Sequence, residues 1–138
     1  MAIKHIVFDT NTWVSYFYNA QLDRLLELTF LKGLTIYTCP KQLEEITLVI
    51  SRDKFAGKLK APLSDYTDFC KRIAEVVEID ERFDRLADPK DNYLIDMAYT
   101  VKADHIVSSD VHLLELKHVG RIQIISLTDF KKKLSLSY

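Results

Sequence analysis

Hydrophobic and polar positions alternate along this chain between short apolar runs and longer stretches with a helical period. Ile3 to Phe8 is short, β-branched and almost wholly apolar past Lys4 and His5, as a strand covered on both faces is, and it stops at Asp9. From Thr12 to Leu31 the pattern turns helical, with Leu22, Leu25, Leu26, Leu28 and Leu31 as the apolar stripe and Gly33 as a stop. Leu34 to Cys39 predicts a second strand. Pro40 has no N–H to leave unpaired in a first helical turn, and Leu43, Ile46, Val49 and Ile50 carry the helix that follows. Arg52 to Ala61 is short, basic and broken by Gly57. Pro62 and Ser64 open a further helix through Tyr66, Phe69, Cys70, Ile73, Ala74 and Val77, with Val76 to Ile79 as a competing short strand. Asp88 as N-cap, Pro89 at N1 and Asp91 at N3 start a helix through Leu94, Ile95, Ala98 and Val101. His105 to Ser108 reads as a strand, His112 to Lys117 as a brief helix, Arg121 to Ser126 as a last strand and Thr128 to Leu134 as a last helix.

Strands separated by helical segments imply right-handed crossovers and a mainly parallel sheet covered on both faces, so the expected fold is a three-layer α/β/α domain. No repeat or linker divides the chain, and residues 1–138 are expected to form one domain. Ligands of such sheets collect beyond the carboxyl ends of the strands, which directs attention to residues just after them.

Composition narrows the class. A chain of 138 residues that is 48% hydrophobic can furnish one core, and 19 Lys+Arg against 20 Asp+Glu argue against an acidic tail, a histone-like basic protein and a disordered chain. Cys39 and Cys70 are too few for a disulfide framework or a CxxC zinc site and suit a reducing cytoplasm. The N-terminus lacks the apolar region of a signal peptide, and no run approaches the roughly 18 apolar residues that span a bilayer. A soluble cytoplasmic protein without membrane contact is therefore expected.

Four acids then stand out. Asp9 ends the first strand and Asp110 follows the strand His105 to Ser108, so both belong to one sheet edge. Asp91 is followed at i+3, i+4 and i+7 by Leu94, Ile95 and Ala98, and Glu45 at i+3 and i+4 by Leu48 and Val49, so each borders an apolar helix face, whereas Glu44 turns to solvent. Each acid has an ordinary reading: Asp9 and Asp110 as helix caps, Asp91 as a first-turn acid favoured by the helix dipole, Glu45 as a surface residue on a long stem. Brought together they would repel one another unless a cation sat among them, and an all-oxygen set suits Mg²⁺ or Mn²⁺. Metal-assisted hydrolysis of phosphate esters is the chemistry that follows.

In order along the chain, IVFDTNTWVS, CPKQLEEITLVISRDKF, DPKDNYLIDMA and ADHIVSSDVHLL resemble the PIN-domain ribonucleases, most closely the VapC-like toxins of bacterial toxin-antitoxin pairs. The resemblance covers nearly the whole chain. It implies an α/β/α fold and a Mg²⁺- or Mn²⁺-dependent endoribonuclease whose metal-holding and catalytic acids are Asp9, Glu45, Asp91 and Asp110. It puts Asn11 and Ser108 behind them as orienting residues, Ser108 keeping a hydroxyl where the family more often has Thr. His112 departs from the pattern, because many relatives carry another acid there, and it weakens the case for a second ion. RNA as substrate, a small antitoxin whose segment occupies the cleft, and a homodimer are implied partners.

Arg52, Lys54 and Lys58, with Lys60, follow the Glu45 helix and could grip a phosphate backbone, or simply face water. Lys131 to Lys133 read as an exposed helix face. Tyr16, Phe17 and Tyr18 could stack on bases, although at least one must be core, and Trp13 reads as core. His5, His105 and His118 have no partner at ligand spacing, and Cys39 and Cys70 read as packing residues. Two other classes compete. Asp9-Thr10-Asn11-Thr12 is similar to the nucleophile loop of haloacid-dehalogenase-like phosphatases, with Asp9 phosphorylated, but Asn11 cannot replace the second acid of that loop. A PIN fold that binds RNA or protein with narrow or no catalysis is the non-enzymatic reading. Setting aside the four acids leaves 19 bases against 16 acids, so near neutrality can hide an acidic pocket on a mildly basic body.

Overall fold

Successive residues of a strand point to opposite faces, and in the first strand both faces are covered. The computed structural model describes residues 4–18, 21–52, 59, 62–79 and 89–137, with the backbone alone for 89–92 and 136–137. Its strands are β1 (His5–Phe8), β2 (Thr35–Thr38), β3 (Glu75–Val76), β4 (His105–Val107), β5 (His118–Val119) and β6 (Ile122–Ile125). Among the described residues the helices are α1 (Thr10–Tyr18), α2 (Leu22–Phe30), α3 (Pro40–Ile50), α4 (Leu63–Ile73), α5 (Pro89–Val101), α6 (Val111–Leu116) and α7 (Leu127–Ser137). The sheet runs β3-β2-β1-β4-β6-β5 and is parallel except for the antiparallel pair β5 and β6.

The two faces have separate cores. Ile6 and Phe8 of β1 join Ile36 and Val107 beneath α1, α2, α3, α4 and α7, through Trp13, Phe17, Leu25, Ile46, Cys70 and Phe130. Val7, Tyr37, Ile106 and Ile124 point the other way, onto Leu94, Ile95, Met97 and Ala98 of α5 and Leu113 of α6. This is the three-layer α/β/α arrangement with a mainly parallel sheet that the spacing predicts.

Where the elements differ from expectation, the cause is tertiary. The stretch Thr12 to Leu31 is not one helix: α1 starts at Thr10 and stops at Tyr18, and α2 begins again at Leu22. Leu25 and Leu28 are buried, but Leu26 is 37% and Leu31 78% exposed, so the expected stripe is wider than the face α2 covers. The strand expected at Val76 to Ile79 is instead Glu75–Val76, and Val77 only donates its N–H to Thr38 O. The helix that opens near Pro62 ends at Ile73, so Ala74 and Val77 lie beyond it. Asp88 lies outside the described residues. β5 was not expected; it folds back on β6 through Gly120 and Arg121, with Gly120 at φ +58°, a left-handed turn position that favours glycine.

A buried polar group sits at the far side of the sheet. His105 in β4 is 6% exposed, its Nε2 lies 3.1 Å from Gln123 Oε1 and 3.4 Å from the Lys133 ammonium of α7, and its Nδ1 has no hydrogen-bond partner among the described residues. Burial, then the Lys133 charge, hold the imidazole below its ordinary pKa of 6.5, against the bond to Gln123 and the Asp104 carboxylate. The unfolded chain therefore takes up the proton first, and this residue's contribution to stability falls as pH drops from about 6.5 toward the lower native value. Urea unfolding at pH 5 and 7.5 is expected to show lower stability at pH 5, with a smaller loss in Lys133→Met. Equal acid losses in variant and parent would refute the coupling.

Candidate active site

Parallel pairing sets Phe8 opposite Val107, so the chain leaves β1 and β4 side by side and the next residues of each meet. Asp9, 5% exposed, is held on both oxygens. Its Oδ1 accepts from the Thr12 N–H at 2.7 Å and the Thr12 hydroxyl at 2.6 Å, and its Oδ2 from the Ser108 hydroxyl at 2.6 Å and the Ser109 N–H at 3.1 Å. Four donors match the roughly four lone-pair sites of an ionised carboxylate. Ser108 Oγ in turn accepts from the Asp110 N–H at 2.9 Å, and Asp110 Oδ1 from the His112 N–H at 2.8 Å. Asp9 and Asp110 thus do cap α1 and α6, the ordinary role, while belonging to one hydrogen-bonded chain across two strands.

Glu45 is half-buried on α3. Its Oε1 accepts from the Thr10 hydroxyl at 3.0 Å and from the Tyr93 phenol, which itself lies 3.3 Å from Thr10 Oγ1. Burial, and next the bond to Glu45, push the Tyr93 phenol far above its ordinary range, so it remains a donor at any physiological pH. The Lys41 ammonium lies 5.2 Å from the Tyr93 ring centre.

These groups share a cleft of about 410 Å³ whose lining includes Asp9, Asn11, Glu45, Arg52, Tyr93 and Asp110. Glu44 is exposed outside it. Asp91 lies in the first turn of α5, whose Tyr93 and Leu94 line the same cleft, but its side chain is outside the described residues. Lys54 and Lys58 are outside them as well. Asn11 is exposed at the cleft, and the oxygens of Asp9 are oriented by Thr12, Ser108 and Ser109.

In the sequence Tyr93 and Gln42 have no part in this framework, and Thr10 and Thr12 stand out only as members of the phosphatase-like loop. Thr12 carried a signal, since it stands at N3 of a helix capped by Asp9. Gln42 carried none. It is fully buried; its Oε1 accepts from Trp13 Nε1 at 3.1 Å and Thr38 Oγ1 at 2.7 Å, and its Nε2 donates to Phe8 O at 2.7 Å. Gln42 therefore fixes the carbonyl immediately before Asp9. Trp13, Tyr16 and Phe17 are buried as core, and Tyr18 is 36% exposed. Cys39 and Cys70 are free and buried, and burial raises both thiols, Cys70 to about 12, so they stay protonated and inert.

The cleft's described acids offer carboxylate oxygens, the donor type hard divalent cations take. Among the described residues no group of three or more His, Cys, Asp or Glu side chains stands close enough to hold a metal ion. No helix among them is long and apolar enough to cross a membrane.

A parallel sheet with acids and hydroxyls gathered where its strands end defines an α/β protein built around an anionic cleft. Residues 5–112 match the family model of the PIN domain, and the chain belongs to that family. The fold is accordingly nuclease-like. No curated protein matches the chain.

Proposed function

We propose that this protein hydrolyses RNA phosphodiester bonds with the help of Mg²⁺ or Mn²⁺, as the VapC-like toxin of a toxin-antitoxin pair. The observation that carries the reading is the meeting of Asp9, Glu45 and Asp110 at one cleft of a PIN domain. Asp9, Glu45, Asp91 and Asp110 would hold the ion, which when bound supplies activation of water and neutralisation of charge on the phosphoryl oxygens. Anchored through Oε1, Glu45 keeps Oε2 for accepting a proton from water, since Oε2 makes no hydrogen bond among the described residues. The Thr12 hydroxyl has one proton and two acceptors, Asp9 Oδ1 at 2.6 Å and Val107 O at 3.1 Å. Turning to Val107 frees a lone pair on Asp9 without leaving the hydroxyl unpaired. Ser108 orients Asp9 through its hydroxyl and takes the Asp110 N–H, while Asn11, at the cleft lining, is left to meet the substrate or a water. Arg52 at the rim, with Lys54 and Lys58 after it, grips the RNA backbone. A small antitoxin closing the cleft and a homodimer complete the proposed assembly.

A second reading has its own observation: the described acids form no three-ligand cluster, and taken alone they support a PIN-fold module that binds RNA or protein without turnover better than they support catalysis. The phosphatase reading fares worse, because both oxygens of its nucleophile, Asp9, are engaged and residue 11 is Asn.

An RNA cleavage assay with purified protein in Mg²⁺ or EDTA, alongside Mn²⁺ titration calorimetry, separates these readings. Cleavage is expected only with the metal, with both cleavage and metal uptake lost in Glu45→Gln and Asp110→Asn. RNA binding with no cleavage and no metal uptake would establish the second reading instead.

A further inference from the structure

A second cleft, of about 330 Å³, lies between α1, α2 and α7, away from the acids. Its lining brings together Arg24 of α2, Lys32 just beyond α2 and Lys131 of α7. Glu27 is the acid of the lining and lies 3.7 Å from Arg24, so the lining holds three basic residues to one acid. Tyr16 also lines the cleft. Its side chain is 2% exposed, its ring stacks on Phe8 at 5.8 Å, and its hydroxyl makes no hydrogen bond among the described residues. The Lys131 ammonium lies 5.8 Å from the centre of that ring.

The Tyr16 hydroxyl opens into the cleft among these cations, where its proton is available to a ligand. Burial pushes the Tyr16 phenol up to about 12, so the group is a donor and never an anion at physiological pH. Convergent ammonium and guanidinium groups around a neutral O–H donor are the chemistry of phosphate recognition.

We propose that this cleft is a phosphate subsite that takes a backbone phosphate of an RNA strand running on from the acidic cleft. The inference rests on the proposed RNA substrate but not on turnover. Two features favour a strand over a free anion. Thr128 and Lys132 extend the polar and basic surface from Lys131 toward the start of α7, which follows β6 at the sheet's carboxyl edge, the edge of Asp9 and Asp110. Along α1, Thr10 lines the acidic cleft and Tyr16 the basic one, a separation of about 9 Å on the helix axis at 1.5 Å per residue, which a few nucleotides span.

The test is binding of a labelled single-stranded RNA oligonucleotide, followed by fluorescence anisotropy in EDTA over a range of salt. Lys131→Glu and Arg24→Glu, both at exposed positions, are each expected to weaken binding about tenfold or more and to flatten the salt dependence by roughly 0.7 in log–log slope for each phosphate no longer neutralised. Tyr16→Phe is expected to weaken binding with the slope unchanged, and Lys102→Glu, at the end of α5, to leave it as in the parent. Parent-like RNA affinity in Lys131→Glu and Arg24→Glu would overturn the subsite. So would variants that lose inorganic phosphate, or an acidic peptide of equal charge, but not RNA. A protein that binds RNA through this cleft yet never cleaves it keeps the subsite and loses the nuclease reading; a metal-dependent nuclease whose RNA affinity ignores these variants does the reverse.

Discussion

Gln42→Leu is expected to lower the unfolding free energy by about 3–5 kcal/mol, because it orphans three buried polar groups, each worth roughly 1–3 kcal/mol when unmet. The groups are the Trp13 indole N–H, the Thr38 hydroxyl and the Phe8 carbonyl, which belong to α1, β2 and β1. Leucine matches the volume closely, so the loss reports hydrogen bonding and not a cavity. Chemical unfolding followed by far-UV circular dichroism measures it. A loss below about 1 kcal/mol would mean that the three groups find other partners and that Gln42 is a filler. Because Phe8 precedes Asp9, any Mn²⁺ uptake by the acidic cleft, as the proposed function requires, should also be weaker in the folded fraction of the variant.

Asp9→Asn has the largest expected effect on activity. The amide keeps the size of the carboxylate but turns one acceptor into a donor that faces either Thr12 or Ser108 and Ser109, all of them donors. The hydroxyls can rotate away; the backbone N–H groups cannot. A stability cost of about 2–3 kcal/mol follows. Loss of the charge is expected to reduce metal-dependent RNA cleavage by roughly 10²–10³-fold, the scale of removing one preorganised electrostatic group. Ser108→Ala, which keeps the charge and removes one of four donors, should cost far less activity. Wild-type cleavage by a folded Asp9→Asn protein would end the nuclease assignment.

The parts of the fold legible in the sequence are those whose cause is local. β1 stops at Asp9 because a buried strand tolerates no charge, and α3 starts at Pro40 because proline fits a first turn. The break between α1 and α2 was hidden, since Leu22, Leu25 and Leu28 repeat at three and recur with the same spacing whether or not Thr10–Tyr18 is continuous with them. β5 has two residues, too few for any period to show. At the cleft, Asp9, Glu45 and Asp110 were legible as acids at strand ends or on an apolar helix border. Tyr93 and Gln42 were not, because apart from Thr38 their partners lie 29 or more residues away and nothing local marks a tyrosine or glutamine as a bridge. His105 shows in the sequence only as a histidine without a partner at ligand spacing; its burial, and the Lys133 contact that adds to the lowering of its pKa across 28 residues, are tertiary.

Both margins of the sheet are two-residue strands, β3 on one side and β5 on the other. A strand that short offers an incoming chain only one or two backbone hydrogen bonds, and at the β5 margin the hairpin turn at Gly120 ends the row at once. The molecule is thereby guarded against edge-to-edge aggregation even though its central strands, Ile-Val-Phe and Ile-Gln-Ile-Ile among them, have the apolar β-rich character of fibre-forming segments. Truncating α7 or α5, which cover those strands, would expose that character, while lengthening β5 by a few apolar residues would build such a template at its margin.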